Sequence, residues 1–567
     1  MRRAVMALAF VLSCAHIPPA STDNLPSPWP ESRAHAGSPP SGGTGPVQRT
    51  PGGAVIKQGT PPPVVPLGKP GAAPTQPAQP TAPTPPTAPT PPIDQPKIND
   101  TFDRAKAPAS SGATKLDLPV PVRRKLKNGT AVLIVERHQL PLASIVIAWP
   151  TGVADEPPAL AGIAGLTADM LDEGAGKLGP LELADAVQRL GAQLRTGAGW
   201  DDTTVAMTTL TRALDQLLPI AADIVMRPTF ADKEIERVRA DRLTALLQQR
   251  DVPAAISSDT LARVVYGDKA RFGLPTLGTE KSLQALGRAD VVKWQKERLR
   301  PDLATVIVVG DVQPDDIVKR LDAAFAGWTS RTKTKLRHPP AALPPSSRKV
   351  VIVDRPGAVQ TEMRLGLPGA PRSSKDFFPC LVANAILGGQ FTSRLNLNLR
   401  EKHGYTYGAR TEFSFRREGG PFVAGAPVKS GVTEPSLKET LGELARIRET
   451  DVPADELRLA KDLLARALAR SFETPPEVAG ALVLQVVEGL PDDYYRTYGA
   501  RIEKVGAADV KRAATKWIDP TKMAIVLVGD EKTIGEGVKT MVGDYERRGV
   551  DGAPLAKSGD GTDGTAR

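Results

Sequence analysis

The residues able to do chemistry in this chain are few. Five histidines occur in 567 residues, at His16, His35, His138, His338 and His403, and no two stand at the helical spacing from which one metal ion is bound. A local histidine-pair metal motif is therefore excluded. The two cysteines, Cys14 and Cys380, are too far apart in the chain to suggest a disulfide framework or a thiolate zinc site. Asp169, Asp172 and Glu173 cluster in LTADMLDEG. The first two share a helical face at i, i+3, a spacing that can offer oxygens to a hard cation, but a solvated helix end is the plainer account. DEGAGKLG, 172–179, has the glycines of a phosphate loop without its ends: Leu171 stands where the first glycine belongs and Leu178 where a hydroxyl must hold magnesium. No Gly-x-Ser-x-Gly elbow occurs, and Cys380 sits in the apolar helical run DFFPCLVANAIL, a place for packing rather than for a nucleophile.

Elements must hold whatever chemistry remains, and composition says where they lie. Hydrophobic residues make up 41% of the chain and charged residues 24%, the balance of a globular protein. No apolar run reaches the about 20 residues of a membrane-spanning helix. The net charge of +10 comes from 73 Lys+Arg against 63 Asp+Glu; with no basic run interleaved with aromatics, no nucleic-acid partner is expected. The N-terminus MRRAVMALAFVLSC has a charged start and a short apolar core, and FVLSC is similar to a bacterial lipobox. Residues 1–14 accordingly read as a lipoprotein signal with Cys14 lipidated; an ordinary signal peptide and secretion to the periplasm is the alternative. Ala15 follows in place of aspartate, which by similarity to lipoprotein sorting points to the outer membrane, facing the periplasm of a bacterial envelope. Residues 15–116, with 15 prolines between 61 and 100, read as a disordered Pro/Ala/Thr-rich tether. About 100 residues of coil span roughly 50–60 Å, so contact with the membrane is expected through the lipid alone. The tail 551–567 reads as disordered too.

Between these ends the chain repeats itself. GRADVVKWQKERLRPDLATVIVVGD begins at Gly287 and GAADVKRAATKWIDPTKMAIVLVGD at Gly506. Gly287 and Gly506, Asp290 and Asp509, Pro301 and Pro520, and Gly310 and Gly529 are all displaced by the same interval, with no gap. Each copy reads as a helix, a proline turn and a buried strand. The boundary is the basic, proline-rich segment 330–349, which gives an N-terminal half at 117–335 and a C-terminal half at 345–550. Asn128-Gly129 marks a hairpin, and TRALDQLLPIAADIVM and ADELRLAKDLLARALARSF read as helices. Strands followed by helices predict α+β halves, each a sheet with helices segregated to one face.

LGGQFTSRLNLNLREKHGYTYG, 387–408, contains a glycine loop, then Ser-Arg-Leu, then Leu399, Arg400, Glu401, Lys402, Gly404 and Tyr407 in the pattern Leu-Arg-Glu-Lys-x-Gly-x-x-Tyr. With the duplicated α+β halves, this resembles the pitrilysin/insulinase superfamily of zinc peptidases, in particular its processing-peptidase-like branch, over nearly all of 117–550. The resemblance implies two homologous pitrilysin/LuxS-like, metallohydrolase-type halves closing as a clamshell. It also implies an H-x-x-E-H helix in the first half, where two imidazoles bind zinc and a glutamate activates water. In ALAGIAGLTADMLDEG those three positions fall on Gly165, Ala168 and Asp169; Leu160, Ile163, Thr167 and Met170 keep an apolar face and Gly174 suits the helix end. In IERVRADRLTALLQQRDVP the later glutamate's position falls on Thr244, Ala245 or Leu246. None of the family's ligands remains, so no cofactor is expected in this chain.

The second half keeps more. In the resembling family an Arg/Tyr pair faces the zinc across a closed chamber and holds the scissile carbonyl and its developing oxyanion, work that suits fixed donors. Arg400 and Tyr407 stand at those positions. Tyr405 would share a strand face with Tyr407, and the family register favours Tyr407. Gly388 and Gly389 match the glycine loop that lines the chamber and contacts substrate, although a helix C-cap accounts for them equally well. An arginine at a helix end and tyrosines packing a sheet are the structural reading of the pair. The expectation is a chain inactive alone, the non-catalytic subunit of a heterodimer whose partner carries the zinc motif and which hydrolyses peptides. The alternative is a non-enzymatic scaffold or peptide-binding protein of the same fold.

Overall fold

A computed structural model describes residues 120–330 and 347–555. Cys14, the 15–116 tether, most of the 330–349 boundary and the tail beyond 555 lie outside the described residues. The strands are β1 (Val122–Lys125), β2 (Ala131–Glu136), β3 (Leu142–Trp149), β4 (Gln193–Ala198), β5 (Thr203–Leu210) and β6 (Thr305–Gly310), then β7 (Lys349–Asp354), β8 (Gln360–Pro368), β9 (Arg410–Phe413), β10 (Pro421–Lys429), β11 (Ala524–Gly529) and β12 (Glu546–Arg548). They form two six-stranded mixed sheets, ordered β1-β2-β6-β3-β5-β4 and β12-β7-β11-β8-β10-β9. β6 and β11, the strands of the sequence repeat, are interior in their sheets and pair in parallel with β2 and β7 and antiparallel with β3 and β8. The caps repeat as well: the Gly287 and Gly506 amides donate to Asp290 and Asp509 at 3.0 Å each, starting the helices Arg288–Arg298 and Ala507–Trp517. Gly129, at φ 91°, turns the β1–β2 hairpin at the place the sequence marks for it.

The expectation of helices on one face needs correction. Val132 and Ile134 of β2 point into the first half's own helical layer, but Leu133 and Val135 point the other way and are equally buried. That second face is covered by the helix Pro475–Val487 of the second half, which packs across β3 and β6. The second sheet is treated in return: the helix Pro253–Tyr266 of the first half lies across β8 and β11, with Ile256, Leu261, Val264 and Val265 against Val351, Val353, Val526 and Val528. Gly366 permits this approach, since a Cβ there would stand 2.8 Å from Leu261 Cδ2. The unbroken apolar runs TVIVV and AIVLV follow from burial on both faces.

Polar contacts fasten the halves at the rim. Arg123 pairs with Asp492, and Arg137 Nη1 donates to Phe472 O at 2.6 Å. The backbone amide of Arg417 donates to Asp201 Oδ2 at 2.9 Å, and its guanidinium to Asp201 O at 3.0 Å. Among the described residues no helix is long and apolar enough to cross a membrane.

Candidate functional site

The helix aligned with the zinc motif is shorter than its apolar pattern suggests, Ile163–Asp169, and is preceded by a 3-10 turn at Pro158–Leu160. Gly162, at φ 96°, begins it. Gly174, at φ 113°, lies in the turn beyond its end rather than at its C-cap. Its N-terminus is held by Glu156, whose carboxylate accepts from the Gly162 and Ala164 amides at 2.8 and 2.7 Å and from Arg271 Nε at 2.6 Å. Burial pushes the Glu156 carboxyl up; Arg271 and the two amides oppose it.

Gly165 and Ala168 carry no donor atoms, and Asp169 is engaged. Arg242, from the helix Asp232–Gln249, places Nη2 and Nε 2.7 and 2.9 Å from Asp169 Oδ2, and its side chain is 9% exposed. The positions expected for the later ligand contribute nothing. Thr244 Oγ1 donates to Ala240 O within its own helix, and Ala245 and Leu246 are core. Glu173 pairs with Arg237, and Asp172 is pushed up to about 7 by burial, then by the charges of Asp169 and Glu173. Among the described residues no group of three His, Cys, Asp or Glu side chains could hold a metal ion. This donor set does not fit the zinc that the resemblance implies. Arg242 escapes the sequence reading because the register looked two to four residues further on. A signal existed: with Ile235, Val238, Ala245 and Leu246, Arg242 lies on the buried stripe of its helix.

In the second half the helix Phe377–Leu387 ends at Gly388, and the chain runs through Arg394–Asn396 into a π-helical turn, Leu397–Lys402. The His403 amide donates to Asn398 O at 3.2 Å, the i to i+5 bond of that geometry. Leu399 is fully buried and anchors the turn. Arg400 stays partly exposed, its guanidinium carbon 4.5 Å from the Phe391 ring centroid and Nε 3.3 Å from Glu401 Oε1. Tyr407 is 86% exposed, whereas Tyr405 is half-buried, stacked on His403 and packed against the core. Gly388 and Gly389 sit where backbone crowds them: a Cβ would come within 2.3 Å of Thr411 N at one and 2.8 Å of Asn384 Nδ2 at the other. Both accommodate the docking of β9 on the helix end.

Sequence reasoning also missed a carboxylate cluster at the contact between the halves. Asp201 and Asp202 precede β5, and Glu488 ends the helix Pro475–Val487, with Arg417 among them. Burial, then the charge of Asp201, pushes Asp202 up to about 7 and Glu488 up to about 8, against the pull of Arg417.

Two family profiles match the chain: one described as Insulinase (Peptidase family M16), over residues 131–273, and one described as Peptidase M16 inactive domain, over 285–464. Together they cover more than half of it. The uncharacterized zinc protease YmxG of Bacillus subtilis is 23% identical over 354 residues, 62% of this chain and 84% of that protein. The non-peptidase homolog YmxG of Helicobacter pylori is 22% identical over 412 residues, 71% and 92%. The crystal structure of a peptidase M16 inactive domain from Pseudomonas fluorescens has a TM-score of 0.67 at 24% identity, covering 72% of this chain and 98% of that one. A chain of complex III2 from Candida albicans reaches 0.62 at 16% identity, 74% and 99%. At such identities the solved structures speak to the fold.

Proposed function

Because the chain belongs to the insulinase/pitrilysin (M16) peptidase family, we propose that it is the non-catalytic subunit of a two-subunit peptidase and lends Arg400 and Tyr407 to the zinc site of a partner chain. One observation carries the reading. The second half presents Arg400 and Tyr407 at its surface, while the first half holds an arginine–aspartate pair where metal donors would stand. The partner's zinc supplies a polarised carbonyl and an activated water. This chain's share is two donors, a guanidinium and a phenol, aimed at the oxygen on which charge develops. Gly388 and Gly389 keep the preceding loop close to β9, beside the bound peptide. The lipobox-like Cys14 supports a place in the bacterial envelope, tethered to the outer membrane.

Mixing the chain with a subunit of the same family that retains H-x-x-E-H should create peptidase activity that neither shows alone. An assembled complex without activity would remove the proposal. In that event the second reading takes over, a scaffold or peptide-binding protein. It is favoured by the name of the Helicobacter relative, a non-peptidase homolog. Membrane association is checked by fractionation, where Cys14→Ser should release the protein; a wild-type protein found already soluble would overturn the anchor.

A further inference from the structure

The mismatch between the zinc-motif helix and zinc has a positive counterpart. An ion held by side chains at positions 165 and 169 would have to lie over the face that i and i+4 share. The Arg242 guanidinium lies over that face. A Cβ at Gly165 would stand 2.6 Å from its Nη2 and 3.0 Å from its Nη1. Nη2 and Nε both reach Asp169 Oδ2, and Nη1 lies 3.4 Å from Leu277 O. Three separate residues thus make one seat: a glycine that leaves the space, an aspartate that supplies the countercharge, and an arginine from a helix 73 residues away in the chain that fills it.

We infer that the Arg242 guanidinium is the resident cation of the first half: it occupies the position over residues 165 and 169, ties the helices Ile163–Asp169 and Asp232–Gln249 through Asp169, and keeps divalent metal out. The charge is permanent, so no change of pH within the stable range of a protein vacates the seat. A divalent ion approaching Asp169 would meet a carboxylate already paired and a fixed positive charge beside it. The inference concerns this chain alone and stands or falls independently of any peptidase partner.

A double-mutant cycle tests the seat in the full chain. Gly165→Ala should lower the melting temperature by several degrees in the wild-type background, because the new methyl meets the guanidinium. With Arg242→Ala already present, the same change should be neutral or raise the melting temperature, because alanine is the better helix former. Equal loss in both backgrounds would show that the guanidinium does not lie against position 165. A second experiment tests exclusion of metal. A chain with Gly165→His, Ala168→Glu and Asp169→His is dialysed against zinc and its bound metal measured, with Arg242 kept or changed to Glu. Near one equivalent is expected with Arg242→Glu, and at least tenfold less with Arg242 present. Equal zinc in the two chains, whether a full equivalent or none, would overturn the claim that Arg242 keeps metal out.

Discussion

The duplicated halves contain the same helix twice, and they use it oppositely. Ile163–Asp169 follows β3 and packs against the helix Arg288–Arg298 and β4; Phe377–Leu387 follows β8 and packs against Ala507–Trp517 and β9. The second copy is apolar almost throughout, with nine of its eleven residues buried. Its Cys380 thiol is pushed up by burial and by the nearby Asp376 carboxylate, as suits an inert core residue. The first copy is short and bounded by charge, the Glu156–Arg271 pair at its start and Asp169–Arg242 at its end. The polar groups of the second half appear later, on the π-helical turn and beyond it, where Arg400 and Tyr407 face solvent. A duplicated frame can therefore bury its charges as internal ties in one copy and display them in the other. The first arrangement serves stability, and the second leaves groups free to act on something outside.

Breaking a tie of the first half should produce the largest effect. Arg271→Met leaves the Glu156 carboxylate buried without its counterion; stability should fall by about 3–5 kcal/mol, measured by urea denaturation. A loss under about 1 kcal/mol would mean that the pair is no tie. Changing the displayed groups should do the reverse. Arg400→Ala or Tyr407→Phe should leave the denaturation curve within about 0.5 kcal/mol of wild type. Both should cut turnover of a reconstituted complex by roughly 10²–10³-fold, about 3–4 kcal/mol in the barrier, with assembly intact by sedimentation. Unchanged turnover would make the pair a remnant of the fold.

The contact between the halves makes a pH prediction with a definite sign. Unfolded carboxyls titrate near pH 4, whereas Asp202 and Glu488 are held at about 7 and about 8 in the folded chain. The folded state therefore keeps protons that the unfolded chain releases. Stability should fall as pH rises from about 4 towards 8 and level off above it. Between pH 5 and 8 the fall should be about 2–3 kcal/mol, and Asp202→Asn with Glu488→Gln should flatten it. A profile that rises across this window would contradict the burial of the cluster. Asp376 acts at the other end of the scale. Burial would raise its carboxyl, but Trp517, Arg512 and Lys516 outweigh that and hold it at about 2; its contribution is present above pH 4 and is lost as pH falls towards 2. The smallest effect should come from Tyr405→Phe, which keeps the ring against His403 and the core. Turnover and stability should each change by less than about 1 kcal/mol; a loss equal to that of Tyr407→Phe would assign the phenol's role to position 405.

The sequence by itself determined the duplication, because local signals carry it. A capping aspartate, a turn proline and a run of β-branched residues repeated at one interval specify a helix and a strand wherever they occur, and both copies fold that way, down to matching caps at Gly287 and Gly506. It also determined which metal ligands the first half cannot offer, since folding brings residues together but does not create imidazoles. Tertiary structure alone decided what fills the space over Gly165 and Asp169. Arg242 is two residues from a place the sequence pattern pointed to, yet the direction of its side chain depends on how two distant helices cross. The exchange of the helices Pro253–Tyr266 and Pro475–Val487 was decided in the same way. An apolar strand records that both its faces are covered, but not which half of the chain supplies the cover, because burial of apolar surface is non-directional.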